Sequence, residues 1–474
     1  MLRTRWSAAA LGGLAAATIT APAASAAPAA SAGIEVPKIT VDVRHPGTAP
    51  GLVFVAPKAA TGIQGPEIVD DHGRPVWFDR LPAGDQATDF RVQTYRGKPV
   101  LTWWQGHSSD GAGHGEGADY IADTHYHVIA TVRASRGYSP DQHEFRLTPQ
   151  GTALVTSYRQ VPYDLSSVGG PKDGSVYDGV AEEIDVATGK VLSRWSSLAH
   201  VPVSDSYAPV PTSANTPYDY FHINAVNLDD DGNLLISSRH TSTVFKVDRH
   251  TGRIIWRLGG KDSSFTLGRD VRFTWQHNPL PTGHDTVRLF DNDSNGTVTS
   301  GASRVEWIRL DQHQHTATLA GQVTHPDHLS APSQGNAQEL PGGDTFVGWG
   351  QLGRVSELSP DGTLLFDATV QHGYDDYRAY RFVWNGRPDT PPTVTAQRSS
   401  GTVTVHAIWN GATGVARWRI LTGSGNDLRA ATATAWNGLD TTIHLSTPSN
   451  NVQVQALDAR GQVIGTSAVQ PITG

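Results

Sequence analysis

Residues 222–260 read HINAVNLDDDGNLLISSRHTSTVFKVDRHTGRIIWRLGG, four short alternating segments divided by the turn pairs Asp231-Gly232 and Thr251-Gly252 and by the polar stretch 239–242. Apolar residues at every second place mark half-buried strands, and the separators are too short for a parallel crossover. Such a stretch folds as an antiparallel meander of four strands, which is the unit of a β-propeller blade.

The same grammar recurs on either side. HEFRLTP, TALVTSY, AEEIDVA and KVLSRW cover 143–195, DFRVQTY, PVLTWW, DYIAD and YHVIATVR cover 89–133, and HNPL, DTVRLF, SRVEWIRL and HTATLAGQV follow from His277. NAQEL, DTFVGWG, RVSELSP and TLLFDATV follow from Asn336. Three early strands, LVFVAP, PEIVDD and PVWFDRL, lack a first strand, and YRAYRFVW at 377–384 lacks a sheet. Joined, they make a sixth blade that closes the ring and removes its open edges. The expected fold is therefore all-β, a six-bladed propeller over residues 50–388. After Pro391-Pro392, strands such as TVTVHAIW, ARWRIL and NVQVQALD predict an immunoglobulin- or fibronectin-III-like β-sandwich over 389–474, an accessory module.

A chain of 474 residues exceeds what one core supports, so a repeat architecture or several domains is required. Its 49 Gly, 29 Pro and 13 Trp, with 17% charged residues, suit turn-rich β structure anchored by aromatics. A formal charge of −8 without a basic run argues against nucleic acid and anionic membranes as partners. The absence of cysteine excludes disulfides and thiolate chemistry. Arg3 and Arg5, the small and apolar run 7–20 and Ala24-Ser25-Ala26 predict a signal peptide over 1–26, hence a secreted, extracellular protein with a flexible mature start at 27–49. No later segment is apolar enough to span a bilayer, and a monomer without a cofactor is expected.

In a four-stranded meander, the start of the first strand, the end of the second and the start of the third share one edge of the sheet. Those positions hold Asp89, Trp103 and Trp104; then His143, Tyr158 and Arg159; then His222, Arg239 and His240. They continue with His277, Asp291, Asn292 and Arg304, then Asn336 and Trp349, then Tyr377 and Arg378. His222, His277, His143, Arg239 and His240 are the catalytic candidates. The other aromatic, Asn and Arg side chains are candidate substrate contacts, suited to an anion on a flat body. Each has a plainer use: a His opening a strand can cap a neighbouring loop, a Trp can wedge between sheets, and Arg304 can pair with Glu306. Asp291, Asp293 and Asn295 match half of a calcium loop whose twelfth position is Ala302 rather than Glu, and His125 with His127 forms a weaker metal pair.

DQHEF at 141–145, FHINAV at 221–226, SSRH at 237–240, WQHNP at 275–279, FDN at 290–292, NAQELPGGDTFVGWG at 336–350 and YRAYRFVW together resemble the arylsulfotransferase family. The resemblance implies sulfuryl transfer from one phenol to another through a transient sulfohistidine, assisted by two further His and one Arg. His222 and His277 match the assisting pair. The family's Arg follows its FDN motif, where this chain has Asp293 to Gly296, and its nucleophilic His is expected near Gly348 to Gly350, where none stands. Arg239, Arg304 or Arg378 are then the candidate cations, and His143 or His240 the candidate nucleophiles. An aryl sulfate with a phenol acceptor is the leading substrate. The alternatives are an acidic glycan cleaved by a uronic-acid lyase and a propeller that binds without catalysis.

Overall fold

The computed structural model describes residues 34–108, 113–135, 137–283 and 285–474; the expected signal peptide lies outside the described residues. The described chain is an all-β protein in which successive stretches of sequence fold into antiparallel meanders. Gln86–Tyr95, Lys98–Ser108, Gly115–Ala122 and Val128–Val132 form one, and Pro140–Leu147, Thr152–Pro162, Ser175–Asp185 and Val191–Ser196 the next. Ile223–Leu228, Leu234–Ser238, Thr243–Val247 and Ile254–Gly259 follow in the same order. His277–Pro281, Thr286–Asp291, Arg304–Asp311 and Thr316–Thr324 come next, with Thr266–Leu267 added parallel to the outer strand.

Asn336–Glu339, Thr345–Gly348, Arg354–Leu358 and Leu364–Val370 form another meander, and it carries a strand the sequence reading missed. Ile39–Arg44, assigned to a flexible start, pairs antiparallel with Leu364–Val370 from Ile39 opposite Val370 to Arg44 opposite Phe366. Ile39 is buried and Val41 packs on the same cluster, so a short alternating segment suffices to cover an outer edge. The last meander joins distant parts of the chain, as expected: Tyr380–Phe382 pairs with Leu52–Val55, which continues to Glu67–Val69 and Pro75–Phe78.

Apolar residues that alternate onto the two faces of each meander are shared with the neighbours. Phe54, Trp77, Phe90 and Trp103 join the 380–78 sheet to the 86–132 sheet, and Tyr95, Ile121, Phe145 and Ala153 join the latter to the 140–196 sheet. Trp195, Val226, Ile236 and Phe245 continue the series, then Trp256, Val244, Leu289 and Ile308, then Phe290, Val347 and Trp349. Val53, Val69, Phe346 and Phe366 bring the 336–370 sheet back against the first. Burying one such side chain contributes about 1.5–3 kcal/mol.

A second set of bonds links neighbouring meanders to one another around their first strands. Thr88 Oγ1 donates to Gln142 O, Tyr158 Oη to Ile223 O, and Asn224 Nδ2 to Gln276 O. Asn292 Nδ2 donates to Gln334 O, the Asn336 amide exchanges two bonds with Ala379, and Tyr380 Oη returns to Asp89. Beside this circuit lies a buried layer of charge. Arg378 Nη1 stands 3.2 Å from Asp89 and 3.1 Å from Glu144, while Arg91 Nη2 stands 2.9 Å and 2.7 Å from the same two carboxylates.

Beyond 392, one sheet holds Thr393–Ser399, Thr402–Ile408 and Asp440–Leu445, and another holds Asp427–Ala435, Arg417–Ser424, Asn451–Leu457 and Val463–Thr466. Val394, Val405, Trp418, Ile420 and Val454 of both sheets share one apolar cluster. Among the described residues no helix is long and apolar enough to cross a membrane.

The charge layer makes a testable demand on stability. Arg378→Met leaves Asp89 and Glu144 buried with half their compensation, so the urea midpoint should fall by the equivalent of about 3–5 kcal/mol. An unchanged midpoint would show that the layer does not hold the first strands.

Candidate functional site

The edge where the first strands start brings together His114, His143, His222, His240 and His277, and hydrogen bonding divides the last four into two kinds. His222 precedes Ile223–Leu228 with φ of 51°, a left-handed backbone that His tolerates better than most residues. Its Nδ1 lies 2.5 Å from Asp219 Oδ2. His143 Nδ1 bonds Asp141 Oδ2 in the same way, and the other Asp141 oxygen accepts Gly115 N at 2.7 Å. A carboxylate on Nδ1 fixes the proton there and leaves the Nε2 lone pair for chemistry. Neither Nε2 has a partner among the described residues, and the two rings lie 5.0 Å apart, centre to centre.

His277 and His240 are held at both nitrogens. Asn292 donates through Nδ2 to Ala331 O and Gln334 O, which turns its Oδ1 toward His277 Nδ1 at 2.7 Å, and His277 Nε2 accepts Gln334 N at 3.2 Å. His240 Nδ1 donates to Asp219 O while Nε2 accepts Arg239 Nη1 at 2.9 Å. Both rings are therefore fixed as neutral Nδ1–H tautomers by their hydrogen-bond partners.

Electrostatics agrees with this division. Burial lowers His222 well below the usual imidazole range in spite of Asp219, and burial and Arg239 lower His277 likewise; His240 is lowered by burial too. Burial alone would raise the Asp219 carboxyl, but His222, His240 and the bond from His114 hold it well below the carboxylate range. Arg239, brought down to about 10 by burial, has no direct carboxylate partner among the described residues. It lies 5.3 Å over the Trp275 ring and donates to Pro332 O.

Tyr158 packs on His143 and His222, and Tyr377 meets His143 and His277 edge-on. Other expected contacts serve the scaffold instead. Trp103 stacks on Tyr120 between sheets, and Trp104 donates to Pro140 O and fills the space over Gly106, Gly115 and Gly117, where any Cβ would fall within 2.8 Å of the indole. Trp349 donates to Ser356 and packs on Phe290, so the three indoles are wedges and not stacking platforms. Asn336 links two first strands, and Arg378 is spent on Asp89 and Glu144. Arg304 is held by Asp291 at 2.8 Å and Glu306 at 2.6 Å, the plainer use foreseen for it. The half calcium motif is likewise internal: Asp291 and Asp293 face Arg304, and Asn295 Oδ1 caps Thr297 N and Val298 N. His125 Nδ1 pairs with Asp389 at 2.8 Å, away from the cluster.

Sequence reasoning missed His114, Asp219 and Asp141. His114 lies in the glycine-rich connection before Gly115–Ala122, and its Nε2 is 3.2 Å from Asp219 Oδ2. Asp219 and Asp141 stand three and two residues before His222 and His143, a local signal that an Asp-x-His or Asp-x-x-His search would have found. His114, Asp219 and His222 can each present one ligand atom within a 4.8 Å span, a two-imidazole and one-carboxylate set of the type that takes a divalent transition ion.

Residues 91–371 match the family model described as arylsulfotransferase (ASST), more than half of the chain. The chain belongs to the arylsulfotransferase family. No curated protein matches it. Among solved structures, the chain is similar to a Bacteroides caccae protein of unknown function, at 12% identity and a TM-score of 0.42 over 70% of this chain and 98% of that one. It is also similar to the periplasmic gluconolactonase of Pseudomonas aeruginosa, at 14% identity and a TM-score of 0.32 over 79% and 96%. Virginiamycin B lyase from Staphylococcus aureus follows at 8% identity and 0.35 over 78% and 96%.

Three buried imidazoles with lowered pKa values make stability depend on pH. The unfolded chain binds protons on them below about pH 6.5 and the folded chain does not, so their contribution is present above that value and lost as pH falls. Urea unfolding should give a lower stability at pH 5 than at pH 7, and His277→Gln should reduce the difference; a slope unchanged by that substitution would show that His277 is not held neutral.

Proposed function

We propose that this chain is a secreted arylsulfotransferase of the propeller type, in which His143 is the nucleophile and His222 the base. The architecture is a six-bladed propeller over residues 50–388, edged by the 39–44 strand, followed by an accessory β-sandwich over 389–474. The circuit of bonds between neighbouring meanders and the return of the 336–370 sheet to the first one support the ring, and the apolar cluster shared by the two late sheets supports the sandwich. Residues 1–26 are the signal peptide, and the released protein acts as a monomer.

The observation that carries the reaction is the pair of rings 5.0 Å apart, each with a carboxylate on Nδ1 and Nε2 left unpartnered among the described residues. The His143 Nε2 lone pair attacks the sulfur of an aryl sulfate, and the bond from sulfur to the aryl oxygen breaks. The aryl oxygen leaves as the phenolate, since neutral His222 carries its proton on Nδ1, and the proton that His222 Nε2 takes up in the second half returns to that phenolate or to solvent. In the second half, an acceptor phenol loses its proton to His222 Nε2 as its oxygen attacks the sulfuryl group, and His143 leaves as the neutral imidazole. Asp141 stabilises the positive charge that forms on the sulfated ring, and Arg239 faces the sulfuryl oxygens. His240, with both nitrogens committed, positions Arg239; His277 is neutral support.

The test is transfer from 4-nitrophenyl sulfate to phenol. His143→Ala and His222→Ala should each lower kcat/KM about 10²- to 10⁴-fold, whereas His277→Gln should stay within about tenfold of the parent. Absent transfer in the parent removes the reading, and unsaturated products from a uronic-acid glycan would replace it with the lyase.

A further inference from the structure

The first strands all run in one direction, so the ends opposite their histidines also meet. There they border a cavity of about 550 Å³, whose lining includes Thr94, Arg146, Thr148, Thr282, Arg288 and Glu339 from the ends of five strands. Four guanidiniums, Arg91, Arg96, Arg146 and Arg288, face a single carboxylate, Glu339, in that lining.

Their partners show where charge is left over. Arg91 is neutralised by Asp89 and Glu144 and donates to Phe145 O and Tyr380. Glu144 is also taken by Arg378. Arg96 covers the ring of Tyr95. Arg288 is 4% exposed, its Nε has no acceptor, and its nearest carboxylate oxygen, on Glu339, is 3.8 Å away. Glu339 already accepts Trp307 Nε1 at 2.6 Å. Arg146 has no ion pair or hydrogen bond with any described residue, and it lies on the strand that also carries His143. Burial lowers both, Arg288 to about 10 with Arg146 adding to the effect, and Arg146 below its usual value with Arg91 adding to it.

Arg288, almost stripped of water, has only the distant and already engaged Glu339 as counter-charge, and partly exposed Arg146 shares its cavity without an acceptor among the described residues, so the pair attracts an anion. A tetrahedral oxyanion supplies what both lack, since each planar fork can donate two bonds to it. We propose that this cavity is an oxyanion-binding site, in which Arg146 and Arg288 hold a sulfate or phosphate group, either as the free ion or as the ester on a larger molecule. Thr94, Thr148 and Thr282 line the same space. The site is distinct from the histidine cluster: the layer formed by Asp89, Arg91, Glu144 and Arg378 lies between them along the first strands. Its occupancy therefore does not depend on whether the chain transfers sulfuryl groups.

Thermal unfolding of the full chain tests this, with sodium sulfate added against sodium chloride at matched ionic strength and, in a parallel arm, glucose 6-sulfate. The midpoint of the parent should rise with one of these, by several degrees at saturation; sulfate acting identifies the free ion, and glucose 6-sulfate acting alone identifies the ester. The Arg146→Gln/Arg288→Gln variant should lose the rise, and Arg146→Gln, at a partly exposed position, should weaken it even where the double variant folds poorly. His222→Ala should keep the rise in full, which separates this site from the proposed catalytic one. No rise with either probe in the parent, or an equal rise in Arg146→Gln and the parent, overturns the proposal.

Discussion

Four buried charges, Asp89, Arg91, Glu144 and Arg378, hold the rest of this molecule in place. None can be left unpaired away from water, so the strand after Asp89, the strand bearing Glu144 and the late segment bearing Arg378 must meet at one point. Arg378 comes from near the end of the repeat region and Asp89 from near its beginning, and their pairing joins the two. Tyr380 Oη, 2.7 Å from Asp89, adds a neutral bond beside them. From this layer the first strands run outward to histidines at one end and to arginines at the other.

At the histidine end, reactivity is decided by the partner of Nδ1. An aspartate there leaves Nε2 available, as at His143 and His222, whereas an amide or a backbone carbonyl combined with a donor on Nε2 fixes a neutral ring, as at His277 and His240. Proximity alone would have made all of them equal. The same reasoning separates the arginines: Arg304 and Arg378 are consumed by carboxylates, and Arg239, over Trp275, is not.

The repeat grammar made the sheets and the convergence of His143, His222 and His277 legible, because period-two alternation and turn spacing determine which strand ends share an edge. The roles of those histidines were not legible. They depend on Asp141 and Asp219, which sit in the approaches to the strands, and on Gln334 N, which is 57 residues from His277 in sequence. Trp103, Trp104 and Trp349 fall at the expected positions, yet alternation alone does not say whether an indole faces the axis or the adjacent sheet. Glycines opposite Trp104 were the clue to its packing role. The strand at 39–44 was overlooked because its partner lies more than 300 residues away.

The central claim is that His143 carries the sulfuryl group between donor and acceptor. Rapid quenching of the enzyme with 4-nitrophenyl sulfate in the absence of phenol, followed by peptide mass spectrometry, tests it most directly. The account predicts a sulfuryl adduct on the peptide bearing His143 that phenol discharges and that His143→Ala abolishes. Turnover with the adduct on another residue, or with none at all, would contradict it.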